Sequence, residues 1–460
     1  MTMINLPWLD ADGRLRLDRL QIRNGHLVVA GQQCRMEISE ITAATEQIVV
    51  PGYIDAHVHF RQPGLAYKEG IANGCLAALA GGVTAVFDMP NTNPPTCTAA
   101  ALAAKRRLWN GRAKVGWGLF IGCDGSEICS GADKAESANG RNGLYSIPTP
   151  ENLGIDSSAV AAMKVFMARS GSCAAVNEPE VLAQLMLAWP RIAVHAEDER
   201  EFPRTATGLT HEQLRPRISV IAALHKLEKA LELAEKYLGR LPDCRLILLH
   251  LATSEEVQWV RRMKERGYKI TAETCPHYLY FTNADLAEYG AQLQVNPPIR
   301  EADDQAMLWQ GLVDGTIDMV NSDHAPHTQA EKASANPPSG IPGIERMWQL
   351  LALAADSGRI SWRRALALAG QNAAKCYGIV GRGELTDGAR ADLVVLRRNK
   401  AADSYPPRKI VTRAGYDAYR HLQFPWEVER VLIAGKTAWE QHNSRALLLA
   451  EEVYAARPFC

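Results

Sequence analysis

The sequence lacks the marks that would tie it to a specialised partner. Its 51 Lys and Arg are balanced by 51 Asp and Glu, so it has no basic surplus to offer a nucleic acid. Long apolar runs are missing as well: none reaches the roughly 18 residues needed to span a bilayer. The opening MTMINLPWLDADGRL has neither the basic start nor the apolar stretch of a secretory signal. No C-x-x-C pair occurs among Cys34, Cys75, Cys97, Cys123, Cys129, Cys173, Cys244, Cys275, Cys376 and Cys460. In so long a chain that scatter argues against a thiolate zinc site and a disulfide framework, and it predicts free, mostly buried thiols. Together these absences predict a cytoplasmic protein with no nucleic-acid or membrane partner.

What is present is the usage of a compact globular chain, 47% hydrophobic and 22% charged. A length of 460 residues allows two or three domains, or one large α/β barrel with an appendage. Residues 1–50 carry short β-like stretches broken by Gly and Asn, the pattern of small antiparallel strands. From Pro51 onward, β-branched apolar runs alternate with helical segments. Eight runs can be counted, at 53–60, 83–90, 115–123, 159–167, 191–197, 245–252, 269–277 and 316–324.

One of the intervening helices, SEEVQWVRRMKERG, is expected to open on Ser254 as its cap and close at Gly267. Eight strands with helices between them predict a (β/α)8 TIM barrel over 51–379. After helical segments at about 343–355 and 362–375, β-like language returns in GELTDGARADLVVLRR and VERVLIAGKTAWE. Both chain ends, 1–50 and 380–460, are therefore expected to build one small β-sandwich domain beside the barrel.

In such a barrel, polar residues at the carboxyl ends of strands are the place to look for chemistry. His57 and His59 close the first run, Lys164 sits in the fourth, His195 ends the fifth, His250 the sixth and Asp323 the eighth. A lone histidine there is ordinarily a hydrogen-bonded core residue. A strand-spaced H-x-H, two more strand-end histidines and an aspartate converging on one rim instead predict a metal site. Imidazole and carboxylate donors without cysteine suit a catalytic zinc-like ion. The set exceeds what one open site uses, which points to two ions and to an anionic bridge between them. Lys164 is costly inside a barrel strand unless paired, and its carbamate would be such an anion.

At these residues the sequence resembles the amidohydrolase superfamily and, within it, the dihydroorotases. The motifs run in order as PGYIDAHVHFRQPG (51–64), DMPNTNP (88–94), VHAED (194–198), LLHLATSEE (248–256), AETCPHYL (272–279), VNPPIR (295–300) and SDHAPH (322–327). Gln62 stands where many dihydroorotases carry Glu, and some relatives place Asp at the bridging position.

The resemblance implies that His57 and His59 bind the more buried metal and that His195 and His250 bind the second. Carboxylated Lys164 and a hydroxide would bridge two divalent ions, zinc by this resemblance, and Asp323 would serve as both ligand and proton shuttle. Arg61, Asn91 and His327 sit where dihydroorotases clamp the substrate carboxylate, and Asn296 where the pyrimidine ring is addressed. The activity implied is reversible hydrolysis of (S)-dihydroorotate to N-carbamoyl-L-aspartate in de novo pyrimidine biosynthesis, with a small-molecule substrate and a homo-oligomer, dimer or tetramer. A hydantoinase- or allantoinase-type hydrolase of another cyclic ureide and a non-catalytic scaffold stand as alternatives. His277 is expected to be structural. The loop at 168–173 is a candidate lid whose Ser170 or Ser172 would reach substrate.

Overall fold

The computed structural model describes residues 2–29, 35–36, 46–128, 146–205, 207–399 and 410–441. All eight predicted runs contain a barrel strand: β1 (Tyr53–Val58), β2 (Val83–Asp88), β3 (in two pieces, Gly116–Leu119 and Ile121–Gly122), β4 (Met163–Phe166), β5 (Arg191–His195), β6 (Arg245–Leu251), β7 (Ile270–Thr274) and β8 (Met319–Val320). Each pairs in parallel with the next. The cylinder closes through a parallel bridge between Val58 and His324 and through the His59 amide, which donates to the His324 carbonyl at 2.9 Å. Closure matters physically because it leaves the strands no open edge and gathers all eight carboxyl ends on one rim.

The strands read as continuous apolar runs because both of their faces are covered. One face fills the barrel interior with Ile54, Ala56, Phe87, Phe120, Ala193, Ile247 and Leu249. The other packs on the surrounding helices. The helix Arg217–Leu238 shows why such segments form: Val220, Leu224, Leu227 and Leu231 recur every three or four residues on its buried face.

Two irregularities interrupt the alternation where it matters. Ile54 and Ala56 point into the barrel, so strict period two would turn His57 outward. A register shift between Asp55 and Val58 resets the parity. A second shift, between Leu248 and Leu251, surrounds His250. Such bulges re-aim individual side chains at a barrel rim.

Both chain ends do join one sheet. Its order is Lys436–Glu440, Trp426–Ile433, Leu393–Arg398, Gln47–Pro51, Trp8–Leu9, Leu15–Arg16 and Arg35–Met36. A three-stranded sheet, Thr2–Ile4, Leu20–Arg23 and His26–Val29, shares its apolar core through Trp8, Leu20, Leu27, Val49 and Val395. Gln47–Pro51 runs directly into β1, which roots this sheet system in the barrel.

One local expectation is corrected. The helix Ser254–Glu265 is capped by Thr253, not Ser254: the Thr253 side chain accepts from the Glu256 amide, and Glu256 returns a bond to the Thr253 amide. The reciprocal box needs a hydroxyl three residues before a Glu, and only Thr253 has that spacing. Thr253→Ala should therefore lower stability by about 1 kcal/mol, whereas Ser254→Ala should change it by less than about 0.5 kcal/mol. Urea unfolding midpoints of the two variants check this.

Candidate active site

The ten residues expected to bind metal or substrate line a single cleft of about 330 Å3 at the rim: His57, His59, Arg61, Asn91, Lys164, His195, His250, Asn296, Asp323 and His327. His57 and His59 come from the end of β1, and both face Asp323, from the loop that follows β8. Asp323 Oδ1 lies 3.3 Å from His57 Nε2 and 3.0 Å from His59 Nε2. The ligating atoms of these three residues all fall within 4.8 Å of one another.

The far nitrogen of each ring is fixed. His57 Nδ1 donates to Glu273 at 2.5 Å, and His59 Nδ1 donates to Asn91 Oδ1 at 2.8 Å. Those bonds aim both Nε2 atoms into the cleft, the arrangement by which a carboxylate or amide orients a metal-binding imidazole.

A second pair stands across the cleft. His195 Nδ1 faces His250 Nε2 at 2.9 Å, and His195 Nε2 is held by Glu197 at 2.9 Å. Arg215 in turn pairs with Glu197 at 2.5 Å. Burial opposes the charge on Glu197, yet Arg215 and His195 outweigh it and hold the carboxyl down at about 2. Burial likewise lowers His59 to about 4, lowers His195, and drives His250 well below its ordinary value, so these rings are neutral and competent to ligate near pH 7. Asp323 is buried too, but it is held well below the usual carboxylate range, chiefly by His57, which Asp323 and Glu273 raise in turn.

Lys164 stands between the two groups. Its Nζ is buried, has no hydrogen-bond partner and sits 4.3 Å over the Phe166 ring. Burial pulls its pKa down to about 7, against Glu273 and Asp323, which raise it.

The remaining corner is cationic. Arg61 Nη2 lies 3.1 Å from His327 Nε2, and Arg61 Nε is buried without a partner. Asn91 Nδ2 reaches Ser170 Oγ at 3.0 Å, and Asn296 Oδ1 is buried and unpartnered. Backbone strain concentrates here: Arg61 (φ 62), His250 (φ 39) and Asp323 (φ 43) are three of the five described non-glycine residues with positive φ. Such conformations cost roughly 1–3 kcal/mol each and persist where surrounding structure over-determines them.

The loop at 168–173 contributes Ala168, Arg169, Ser170 and Gly171 to the cleft wall, while Ser172 Oγ donates instead to the Thr92 carbonyl at 3.2 Å. His277 is buried within the short helix Pro276–Tyr280 and is not part of the cleft lining. The seven described cysteines are free and buried; Cys34, Cys129 and Cys460 lie outside the described residues.

Sequence reasoning missed four participants. Glu197 and Glu273 lay inside the quoted motifs VHAED and AETCPHYL, where a carboxylate in or beside an apolar strand next to candidate histidines was the available signal. Arg215 and Lys68 gave none, because each meets its partners only across the fold.

With this geometry in place, relatives can be compared. The amidohydrolase family matches residues 48–144 and 190–438, more than half of the chain. The chain belongs to the amidohydrolase family. It is 31% identical over 445 residues to a dihydroorotase of Halobacterium salinarum, covering 94% of each chain. To a dihydroorotase of Methanosarcina acetivorans it is 32% identical over 457 residues, covering 94% of this chain and 90% of the other. Among solved structures it resembles an L-hydantoinase from Arthrobacter aurescens with a TM-score of 0.77 at 23% identity, covering 97% of this chain and 96% of that one. That likeness extends the amidohydrolase barrel and its β-sandwich to this chain. Among the described residues no helix is long and apolar enough to cross a membrane.

If Glu273 orients His57 as a ligand, Glu273→Gln should weaken metal retention about 10–100-fold. Metal content measured during chelator competition gives the test, and an unaltered competition curve would contradict the assignment.

Proposed function

We propose that this amidohydrolase is a dihydroorotase, hydrolysing the cyclic amide of (S)-dihydroorotate reversibly to N-carbamoyl-L-aspartate in de novo pyrimidine biosynthesis. The carrying observation is that an imidazole and carboxylate cluster shares one cleft with Arg61, a buried guanidinium that forms no ion pair among the described residues. The 31–32% identity to proteins named dihydroorotase, across 94% of the chain, supports the same reading.

The residues present suit two divalent ions, zinc by the chemistry of the donors. His57 and His59 with Asp323 would hold one, His195 and His250 would hold the other, and Lys164, once carboxylated, would be the anionic residue between them. The orphaned Lys164 amine fits this role, since burial keeps a share of it neutral near pH 7. A neutral amine can add through its lone pair to carbon dioxide, forming a nitrogen–carbon bond and releasing a proton to solvent. When bound, the ions supply an activated water at neutral pH and polarise the amide carbonyl.

The chain's own groups do the rest. Arg61, Asn91 and His327 hold the ring carboxylate, which fixes the amide over the cluster and turns binding into orientation. Asn296 addresses the pyrimidine ring. Asp323 takes a proton from the attacking water and returns it to the leaving ring nitrogen, acting first as base and then as acid. Residues 51–379 form the catalytic domain and 1–50 with 380–460 the small β domain. The enzyme works in the cytoplasm as a homo-oligomer, dimer or tetramer.

A hydantoin or allantoin ring brings no carboxylate to the corner and would leave the Arg61 guanidinium desolvated and unpaired, which is the costly outcome. A scaffold without activity would have no use for the strained, desolvated ligand set. Metal-replete protein should hydrolyse dihydroorotate in preference to hydantoin and allantoin, and metal analysis should find two ions per chain. Preference for a ring without a carboxylate would overturn the substrate, and protein purified without metal would overturn the enzyme.

Two substitutions sharpen the assignment. Asp323→Asn should lower kcat by about 100-fold or more, the usual worth of a positioned acid–base group, with the fold intact by circular dichroism. Arg61→Ala should raise KM for dihydroorotate at least about tenfold, the weight of one charge-assisted hydrogen bond, while metal content stays unchanged.

A further inference from the structure

Lys68 lies in the segment that follows β1 and is buried against the cleft. Its Nζ is 3.0 Å from His327 Nδ1 and 2.9 Å from Glu331 Oε1. Glu331 is itself anchored: its second oxygen accepts from the Thr328 amide and hydroxyl, and Tyr67 donates to Oε1 at 3.0 Å. The ammonium is thus held in place by a fixed carboxylate and presented to the histidine ring.

An ammonium only donates, so His327 Nδ1 must accept, and the neutral ring carries its proton on Nε2. That proton has an outlet in the Ser339 carbonyl, 3.0 Å from Nε2. The groups facing the ring are Arg61, Lys68, Lys332 and Glu331. Burial, with the three cations, drives the imidazole down to about 2, so it does not escape the constraint by protonating.

The consequence falls on Arg61. Its Nη2 lies 3.1 Å from the same Nε2. Once Nε2 bears a proton, two donors face each other and neither can satisfy the other. Arg61 Nε is already buried without a partner. His327 spends its proton on Ser339, so the Arg61 guanidinium is left to find an acceptor from outside the chain.

We propose that Lys68 is a positioning residue for substrate specificity: by forcing His327 into its Nε2-protonated form, it denies Arg61 an internal acceptor and keeps the guanidinium as a donor site selective for a ring bearing a carboxylate. The inference rests on the dihydroorotase reading above. In the opposite tautomer, His327 Nε2 would accept from Arg61 Nη2 and give the guanidinium a partner within the chain. Lys68 is what prevents that internal closure, and it does so without touching the reacting amide.

The test compares the metal-replete wild type with Lys68→Met and Lys68→Arg, measuring kcat and KM for dihydroorotate together with the dissociation constants of orotate and uracil by calorimetry. Lys68→Met should raise KM and weaken orotate about 10- to 100-fold, the worth of a hydrogen bond to a charged group. Its kcat should stay within a few-fold, its metal content should not change, and uracil binding should stay where it was. Lys68→Arg, still an obligate donor, should recover most of the orotate affinity.

Equal losses for orotate and uracil, or a fall in kcat with KM unchanged, would overturn the positioning role. If Lys68→Met fails to fold, Lys68→Arg carries the test, and orotate binding as weak as uracil binding in that folded variant would count against the inference. Failure of wild-type protein to turn over dihydroorotate would instead sink the dihydroorotase reading, a result separable from any effect of Lys68.

Discussion

Closing a parallel barrel brings eight strand ends to one rim, and the polar groups they carry must satisfy one another or a ligand in a space that excludes most water. Here that rim gathers His57, His59, His195 and His250 with Lys164 and Asp323 in one cleft. Desolvation sets their state. Burial lowers His59, His195 and His250 to neutrality and weakens the hold of Lys164 on its proton. The same burial would neutralise Asp323, but its pairing with His57 keeps it charged. The outcome is a set of lone pairs and one anion converging on a common point, which is what a bound cation requires.

The carboxylates behind the rings are as consequential as the rings themselves. Glu273 and Glu197 each take the proton-bearing nitrogen of a histidine and thereby aim the other nitrogen into the cleft. Asn91 does the same for His59 through its carbonyl oxygen while its amide side faces Ser170. One residue thus ties the imidazole cluster to the corner where a substrate would be anchored. The left-handed backbone at Arg61, His250 and Asp323 belongs to the same design, since each bends the chain to deliver a side chain that a regular strand would point elsewhere.

Much of this was legible in the linear text. The eight apolar runs, the helical segments between them and the union of both termini in one sheet system follow from hydrophobic period and turn residues. The ligand candidates followed from polar side chains placed at the ends of apolar strands. The capping residue of Ser254–Glu265 was misplaced by one because Ser254 and Thr253 are both good caps, and only the reciprocal bond with Glu256 decides between them.

Composition and order along the chain thus determined the barrel, its appended β domain and the residue types gathered at the rim, because strand and helix periodicities are local properties that burial then selects. Only the tertiary structure decided which nitrogen of each ring faces the cleft, how bulges within β1 and β6 turn His57 and His250 inward, and that Lys68, Arg215 and Glu331 join the site. Those outcomes depend on hydrogen bonds between residues far apart in sequence and on the degree of desolvation at each atom. Neither exists until the cylinder closes.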